Sequence, residues 1–149
     1  MNVHFEKLTA SPNQFFTILP EDWQNLIVPH WNLYKNTASI YVLKENDTIV
    51  AGGIVFSEKL LEMTPFEEEF CYLFSEGYLY LGYIWVAEDK RNQRLATTWL
   101  THLKQQNPIQ KYWLTIEEES LTYFYERNDF KLLAKSNDAT TKEWLMVNG

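Results

Sequence analysis

The chain has 149 residues, a formal net charge of −7 and a pI near 4.9, with apolar residues at 46% and aromatics at 16%. That is the length of one domain, too apolar for disorder and without the run of 18 apolar residues a membrane span needs. The acidic balance excludes nucleic-acid binding by phosphate neutralisation and points weakly to a cationic partner, while one cysteine, Cys71, and three scattered histidines, His4, His30 and His102, leave neither an internal disulfide nor a metal-ligand spacing.

The amino end, Met1 to Lys7, lacks a basic segment followed by an apolar one, so no export signal is expected and the cytoplasm is the default compartment. Residues 2 to 8 alternate polar and apolar and predict a first strand. Pro20-Glu21-Asp22-Trp23 reads as a helix start and Pro29 as its close. Residues 38 to 45 and 48 to 56 form a hairpin across Asn46-Asp47, two residues that tolerate positive φ. Gly52-Gly53 in the second arm marks a bulge or a close approach. Between 57 and 77, Leu60, Leu61, Met63, Phe66, Phe70, Leu73 and Phe74 follow helical spacing and predict an inserted helix or two.

An apolar strand at 78 to 86 comes next, then a helix at about 91 to 106 whose Leu95, Ala96, Trp99, Leu100 and Leu103 face the core and which Asn107-Pro108 ends. A strand at 110 to 117 and a short helix at about 119 to 128 follow, with Leu121, Phe124 and Tyr125 turned to the sheet and Asn128-Asp129 supplying a left-handed close. Residues 130 to 136 and 141 to 147 make a last hairpin. Strands on both sides of a few helices, with one β-α-β crossover at 78 to 117, give a mixed α/β sheet. Without an internal repeat or a linker, residues 1 to 149 read as a single domain.

Lys90-Arg91-Asn92-Gln93-Arg94-Leu95-Ala96 places three cations at what the pattern predicts to be the first turn of a helix, where the dipole favours acids. A strand, a turn and a cationic helix start make a phosphate cradle, and arginine's fork of donors matches phosphate oxygens. There is no Gly-Lys-Ser or Gly-Lys-Thr and no Gly-x-Gly-x-x-Gly, which removes nucleoside triphosphatases and nicotinamide dehydrogenases.

Val86-Ala87-Glu88-Asp89-Lys90-Arg91-Asn92-Gln93-Arg94-Leu95-Ala96 resembles the acyl-CoA-binding segment of the GNAT superfamily of N-acetyltransferases, patterned as Arg or Gln, two residues, Gly, one residue, then Gly or Ala. Arg91 and Ala96 match, and Arg94 stands where Gly is usual. Further on, Phe124-Tyr125-Glu126-Arg127-Asn128-Asp129-Phe130 is similar to the family's Phe-Tyr-Glu-Lys-Leu-Gly-Phe, with Asp129 for Gly. The resemblance implies a GNAT-like acyl-CoA N-acyltransferase fold, with a central, mostly antiparallel, splayed sheet flanked by helices. It implies acetyl-CoA as co-substrate, with no metal. Ile84, Trp85 and Val86 would pair with the pantetheine arm, and Arg91, Asn92, Gln93, Arg94, Leu95, Ala96 and Thr97 would hold the pyrophosphate.

The family pattern gives Tyr125 the role of protonating the departing thiolate: a phenol of pKa about 10 is protonated at pH 7 and a thiolate of pKa about 8.5 can take its proton. The acceptor is a primary amine on a small molecule or peptide, and an amine of pKa about 10.4 needs a base or a water relay, for which Glu117, Glu118 and Glu119 are candidates; the same acids also suit the helix start they precede. Trp23, His30, Trp31, Tyr34 and the segment 57 to 77 shape an acceptor pocket or serve as core, and the apolar segment is equally a homodimer surface. Cys71, among Phe70, Tyr72 and Leu73, reads as packing. Two functions are carried forward: direct acetyl transfer from acetyl-CoA to an amine in a ternary complex, and a non-catalytic acyl-CoA-binding or interaction module on the same fold. No nucleic acid or membrane is expected as a partner.

Overall fold

The computed structural model describes residues 2–138 and 140–149. In chain order the elements are β1 (His4–Leu8), α1 (Asn13–Phe16), α2 (Glu21–Ile27), a 3-10 turn (Val28–His30), α3 (Trp31–Tyr34), β2 (Ala38–Glu45) and β3 (Thr48–Phe56). Then follow α4 (Pro65–Glu68), α5 (Tyr72–Ser75), β4 (Tyr78–Val86), a second 3-10 turn (Glu88–Lys90), α6 (Leu95–Gln106), β5 (Lys111–Ile116), α7 (Ser120–Arg127), β6 (Lys131–Lys135) and β7 (Trp144–Asn148). The class is the expected one, mixed α/β with seven strands in a mostly antiparallel sheet and helices beside it. The chain clusters into two compact units, the first running to Phe56 and including Leu81–Asn107, the second made of Ser57–Tyr80 and Pro108–Gly149.

In the first unit the strand order is β1-β2-β3-β4. The hairpin closes where the sequence places it, with Asn46 at φ 51 and Asp47 at φ 66, the two left-handed residues that match the twist of a two-residue loop. Leu43 pairs with Ala51 but Lys44 with Ile49, so Val50 is the extra residue of a bulge, and its carbonyl accepts the Ala87 N–H at 2.8 Å. Gly52 and Gly53 are there for close approach: a Cβ would lie 2.6 Å from the Phe15 ring at the first and 2.7 Å from the Trp99 ring at the second. Trp99 is buried on α6 and its indole N–H donates to the Tyr41 carbonyl at 2.9 Å, which fixes α6 against β2 and β3 together with Leu95, Leu100 and Leu103.

In the second unit the order is β4-β5-β7-β6. The first three residues of β4 run parallel to β5, Tyr78 against Lys111 through Tyr80 against Trp113; β5 then continues paired with β7 up to Ile116 against Trp144. Trp113, Leu114, Leu145 and Met146 fill the core. A capping box starts α4: the Glu67 N–H donates to the Thr64 hydroxyl at 3.2 Å, and the Thr64 N–H donates to the Glu67 carboxylate at 3.0 Å.

Two expectations hold with an adjustment and two need correction. The early helix α2 ends at Ile27, just ahead of Pro29 as expected, but Pro29 sits in a 3-10 turn, where its missing N–H goes unneeded, and the chain then continues into α3. The insertion holds the two expected helices, α4 and α5, each of a single turn, and Leu61 is 64% exposed, outside the buried set of Leu60, Met63 and Leu73. On α7 the buried side chains are Thr122 and Tyr125, whereas Leu121 faces out. Finally, α6 begins at Leu95, so Lys90 to Arg94 lie in the turn before the helix.

Candidate functional site

The segment from β4 to α6 belongs wholly to the first unit after Tyr80. Its strand part is fixed by aromatic packing: Trp85 meets Phe15 edge-on at 6.5 Å, and Ile84 packs against the position of Gly53. Within β4, Tyr83 has φ 56, a left-handed angle that a bulky L-residue adopts at a cost of roughly 1–2 kcal/mol. Trp23 at 5.8 Å and Phe56 at 6.3 Å hold its ring. The break in the pleat re-aims the backbone groups just ahead of Ile84. Sequence reading missed it, although Gly82 beside it, a glycine inside a strand, was the available signal.

The turn after β4 is built from alternating hands. Arg91 is extended, Asn92 is left-handed at φ 68 and Arg94, the residue before α6, is left-handed at φ 61. Arg94 therefore takes the backbone conformation that glycine would supply in this pattern. Left-handed residues in a turn direct successive N–H groups inward, and the helix start adds those of Leu95 and Ala96. No side chain caps α6 and its first turn holds no acid, so the positive end of the dipole is left for something else.

The three cations are not equivalent. Lys90 is committed to Glu45 at 3.0 Å, and that hydrogen bond raises its pKa above the usual lysine value. The Nε of Arg91 donates to the Val86 carbonyl at 3.4 Å, tying the turn back to the strand. Arg94 is exposed and makes no ion pair among the described residues. Two guanidinium groups, not three cations, stand beside the helix start. Ile84, Trp85, Val86 and Arg91 to Thr97 are thus brought together as one strand-turn-helix segment, and the donor set fits a pyrophosphate in charge and in kind.

Tyr125 lies in the second unit, on the inward face of α7. Phe124 at 5.0 Å and Phe130 at 5.6 Å meet its ring edge-on. Burial pushes its phenol up to about 12, so it stays protonated at pH 7 but is a weaker acid than an exposed tyrosine. The helix closes as the motif requires: the Asn128 and Phe130 N–H groups both donate to the Tyr125 carbonyl, with Asp129 left-handed at φ 70.

The remaining candidates divide. Glu117, Glu118 and Glu119 are exposed, and their backbone leads into α7, with the Thr122 N–H and hydroxyl both bonded to the Glu119 carbonyl. Trp31 and Tyr34 pack on Phe16 and Phe56, at 5.1 and 5.9 Å, and His30 ends the 3-10 turn. Cys71 is half-buried with its Sγ 3.7 Å from the Met63 sulfur, and burial raises its pKa, away from a nucleophile's thiolate. Among the described residues no group of acids, histidines or cysteines could hold a metal, and no helix is long and apolar enough to cross a membrane.

Comparison with known proteins adds an independent line. The model of the acetyltransferase (GNAT) family matches residues 5–130. No curated protein sequence matches the chain. Among solved structures, the ribosomal-protein-S18-alanine N-acetyltransferase of Escherichia coli superposes with a TM-score of 0.69 at 15% identity, over 99% of this chain and 93% of that one. A GNAT family acetyltransferase from Elizabethkingia anophelis, solved with acetyl-CoA bound, gives 0.62 at 15% identity, over 99% and 97%. An IAA acetyltransferase from Bacillus cereus gives 0.62 at 12% identity, over 99% and 100%. At these identities the likeness is one of fold.

Proposed function

The chain belongs to the GNAT acetyltransferase family, and on that premise we propose that residues 1–149 work as one N-acetyltransferase domain moving an acetyl group from acetyl-CoA to a primary amine. The observation that carries the reading is the left-handed Arg94 at φ 61 ahead of an uncapped helix start. The side chain that replaces glycine has kept glycine's backbone angles, and with them the inward aim of the loop N–H groups. Asp129, at φ 70, keeps them in the second motif. This geometry favours a segment that still holds an acyl-CoA; turnover is what separates the enzyme from a non-catalytic acyl-CoA-binding module.

In this reading the N–H groups of Asn92, Gln93, Leu95, Ala96 and Thr97 take the pyrophosphate, with Arg91 and Arg94 adding charge-assisted bonds. The backbone of Ile84, Trp85 and Val86 pairs with the pantetheine arm, and donors near Val86 polarise the thioester carbonyl. Tyr125 returns a proton to the sulfur. With its phenol at about 12, full transfer to a thiolate of reference pKa about 8.5 is uphill by roughly 5 kcal/mol, within the barrier of about 16 kcal/mol that a turnover of ten per second allows. No membrane or nucleic-acid partner enters; the chain acts in the cytoplasm on a soluble amine.

The test is calorimetric titration with acetyl-CoA, followed by thiol release with spermidine, kanamycin, lysine and an alanine-headed peptide as acceptors. Micromolar binding with turnover of at least one amine is expected. Absence of binding at millimolar acetyl-CoA would overturn the proposal, and binding without turnover would move the weight to the module.

A further inference from the structure

The second unit contains a cavity of about 490 Å³ between the insertion and the chain that carries β6 into β7, inside the range of about 300–1,000 Å³ usual for small-molecule sites. Every residue that lines it belongs to that unit. The insertion supplies an apolar wall, in which the rings of Phe66 and Phe70 meet edge-on at 5.3 Å. The end of β6 and the segment leading into β7 supply polar groups, among them Ser136, Asp138 and Glu143.

Glu143 lines this cavity although it is only 4% exposed. Among the described residues its carboxylate has a single donor, the Thr64 hydroxyl, which lies 2.9 and 3.0 Å from the two oxygens. A hydroxyl has one proton to give, whereas a carboxylate has about four acceptor positions. The neighbouring buried acid, Glu67, takes three donors: the Tyr80 and Thr115 hydroxyls and the Thr64 N–H. The Ser136 hydroxyl does not make up the difference, because it donates to the Thr141 carbonyl at 3.3 Å. No cation among the described residues pairs with Glu143; the nearby Lys135 holds its ammonium over the Trp144 ring at 5.6 Å. The remaining charged neighbours are acids. Glu67 on α4, Glu117 after β5 and Asp138 in the loop act with burial to push the Glu143 carboxyl above its ordinary value. Asp138 is bonded to the Thr140 N–H and hydroxyl, and Glu69, also lining the cavity, is exposed without an ion pair among the described residues. A buried carboxylate with one donor and no counter-charge, facing open space, calls for a cation from outside.

We infer that this cavity is a binding site for a small organic cation, a guanidinium or ammonium group on an apolar stem, with Glu143 receiving the charged head and the Phe66 and Phe70 rings receiving the stem. The head's N–H groups take the acceptor positions that Thr64 leaves open. A guanidinium suits the site best, because its fork gives two parallel bonds to a carboxylate and its plane stacks on aromatic rings. A bare metal ion does not suit it, since no group of acids, histidines or cysteines among the described residues could ligate one. The acidic balance of the chain draws such cations from solution. The site stands on the second unit alone and goes beyond acetyl transfer, which it neither requires nor supports.

The experiment is calorimetric titration of wild type and Glu143→Gln with n-butylguanidinium and with n-butylurea, its neutral counterpart of the same shape. A guanidinium keeps its charge throughout the range used, so any pH dependence belongs to the protein. Wild type should bind the cation at least about tenfold more tightly than the urea at pH 7, and Glu143→Gln should lose that preference. The ligand favours the ionised carboxyl, so wild-type affinity should rise with pH by at most about tenfold per unit and level off once Glu143 is ionised, while the variant's stays flat. Cooperative thermal unfolding of Glu143→Gln at or above the wild-type Tm shows that the variant is folded. Phe66→Ala should weaken the cation while leaving its preference over the urea. Equal binding of the two ligands by wild type, an unchanged preference in Glu143→Gln, or no binding of the cation at millimolar concentration overturns the inference. Each of these results leaves the acetyl-CoA titration, and the acetyltransferase reading with it, untouched.

Discussion

Replacing Arg94 by glycine should make the protein more stable and a poorer binder of acetyl-CoA. Arg94 sits at φ 61, ψ 27 before α6, a conformation that disfavours any residue with a Cβ by roughly 1–2 kcal/mol. Glycine removes that strain but gives the unfolded chain more freedom, about 0.4–1 kcal/mol in the opposite direction. The difference is a net gain of about 0.5–1 kcal/mol, or a rise in Tm of about 1–4 °C for a chain of this size. The side chain is exposed, so its bond to a phosphate is worth about 1 kcal/mol after solvent screening, a loss of about fivefold in affinity. Arg94→Ala separates the two effects, since alanine keeps the strain and loses the guanidinium. Thermal unfolding and calorimetry on the three proteins, repeated at high salt where the affinity gap should narrow, read both quantities. A lower Tm for the glycine variant would refute the strain argument, and an unchanged affinity would refute a phosphate contact by Arg94.

Tyr125→Phe should lower kcat at least tenfold with little change in acetyl-CoA affinity, as checked by thiol release and calorimetry. Because burial raises the phenol's pKa to about 12, the neutral form's contribution is complete below pH 10 and is lost as pH rises from 10 through 12, when only the unfolded chain ionises freely. Wild type should lose roughly 2–3 kcal/mol across that window relative to the phenylalanine variant, measurable by urea unfolding. Gly53→Ala should cost about 2–3 kcal/mol, since its Cβ would lie 2.7 Å from the ring of the buried Trp99, and a Tm within 2 °C of wild type would show that the tryptophan can move. Burial also raises the Glu143 pKa, so its stabilising influence exists at low pH and is lost as pH rises through its folded value. Glu143→Gln, which still accepts from Thr64, should therefore raise Tm at pH 7 and leave it unchanged below about pH 4.

Most of the secondary structure is written in short-range chemistry. Asn46-Asp47 specifies its turn because both residues tolerate positive φ, and β2 and β3 begin and end where the alternation says. The stripe Leu95, Trp99, Leu100, Leu103 fixes the buried face of α6. The two motifs that carry the family lie on consecutive residues, so their presence, order and spacing are legible without any fold.

Tertiary structure decided matters in which distant residues compete for the same partners. Lys90 looks like one of three equivalent cations in the sequence, but Glu45, 45 residues away, claims it. The start of α6 shifts to Leu95 because Asn92 and Arg94 turn left-handed, and nothing in an arginine's own preferences selects that conformation. Glu67 announces only a capping box with Thr64; its bonds to Tyr80 and Thr115 exist because the insertion folds back on strands 13 and 48 residues away. Local preferences of about 1 kcal/mol or less per residue set helices and turns, whereas the pairing and burial of a charge depend on whatever the fold brings beside it, and that is a property of the whole chain.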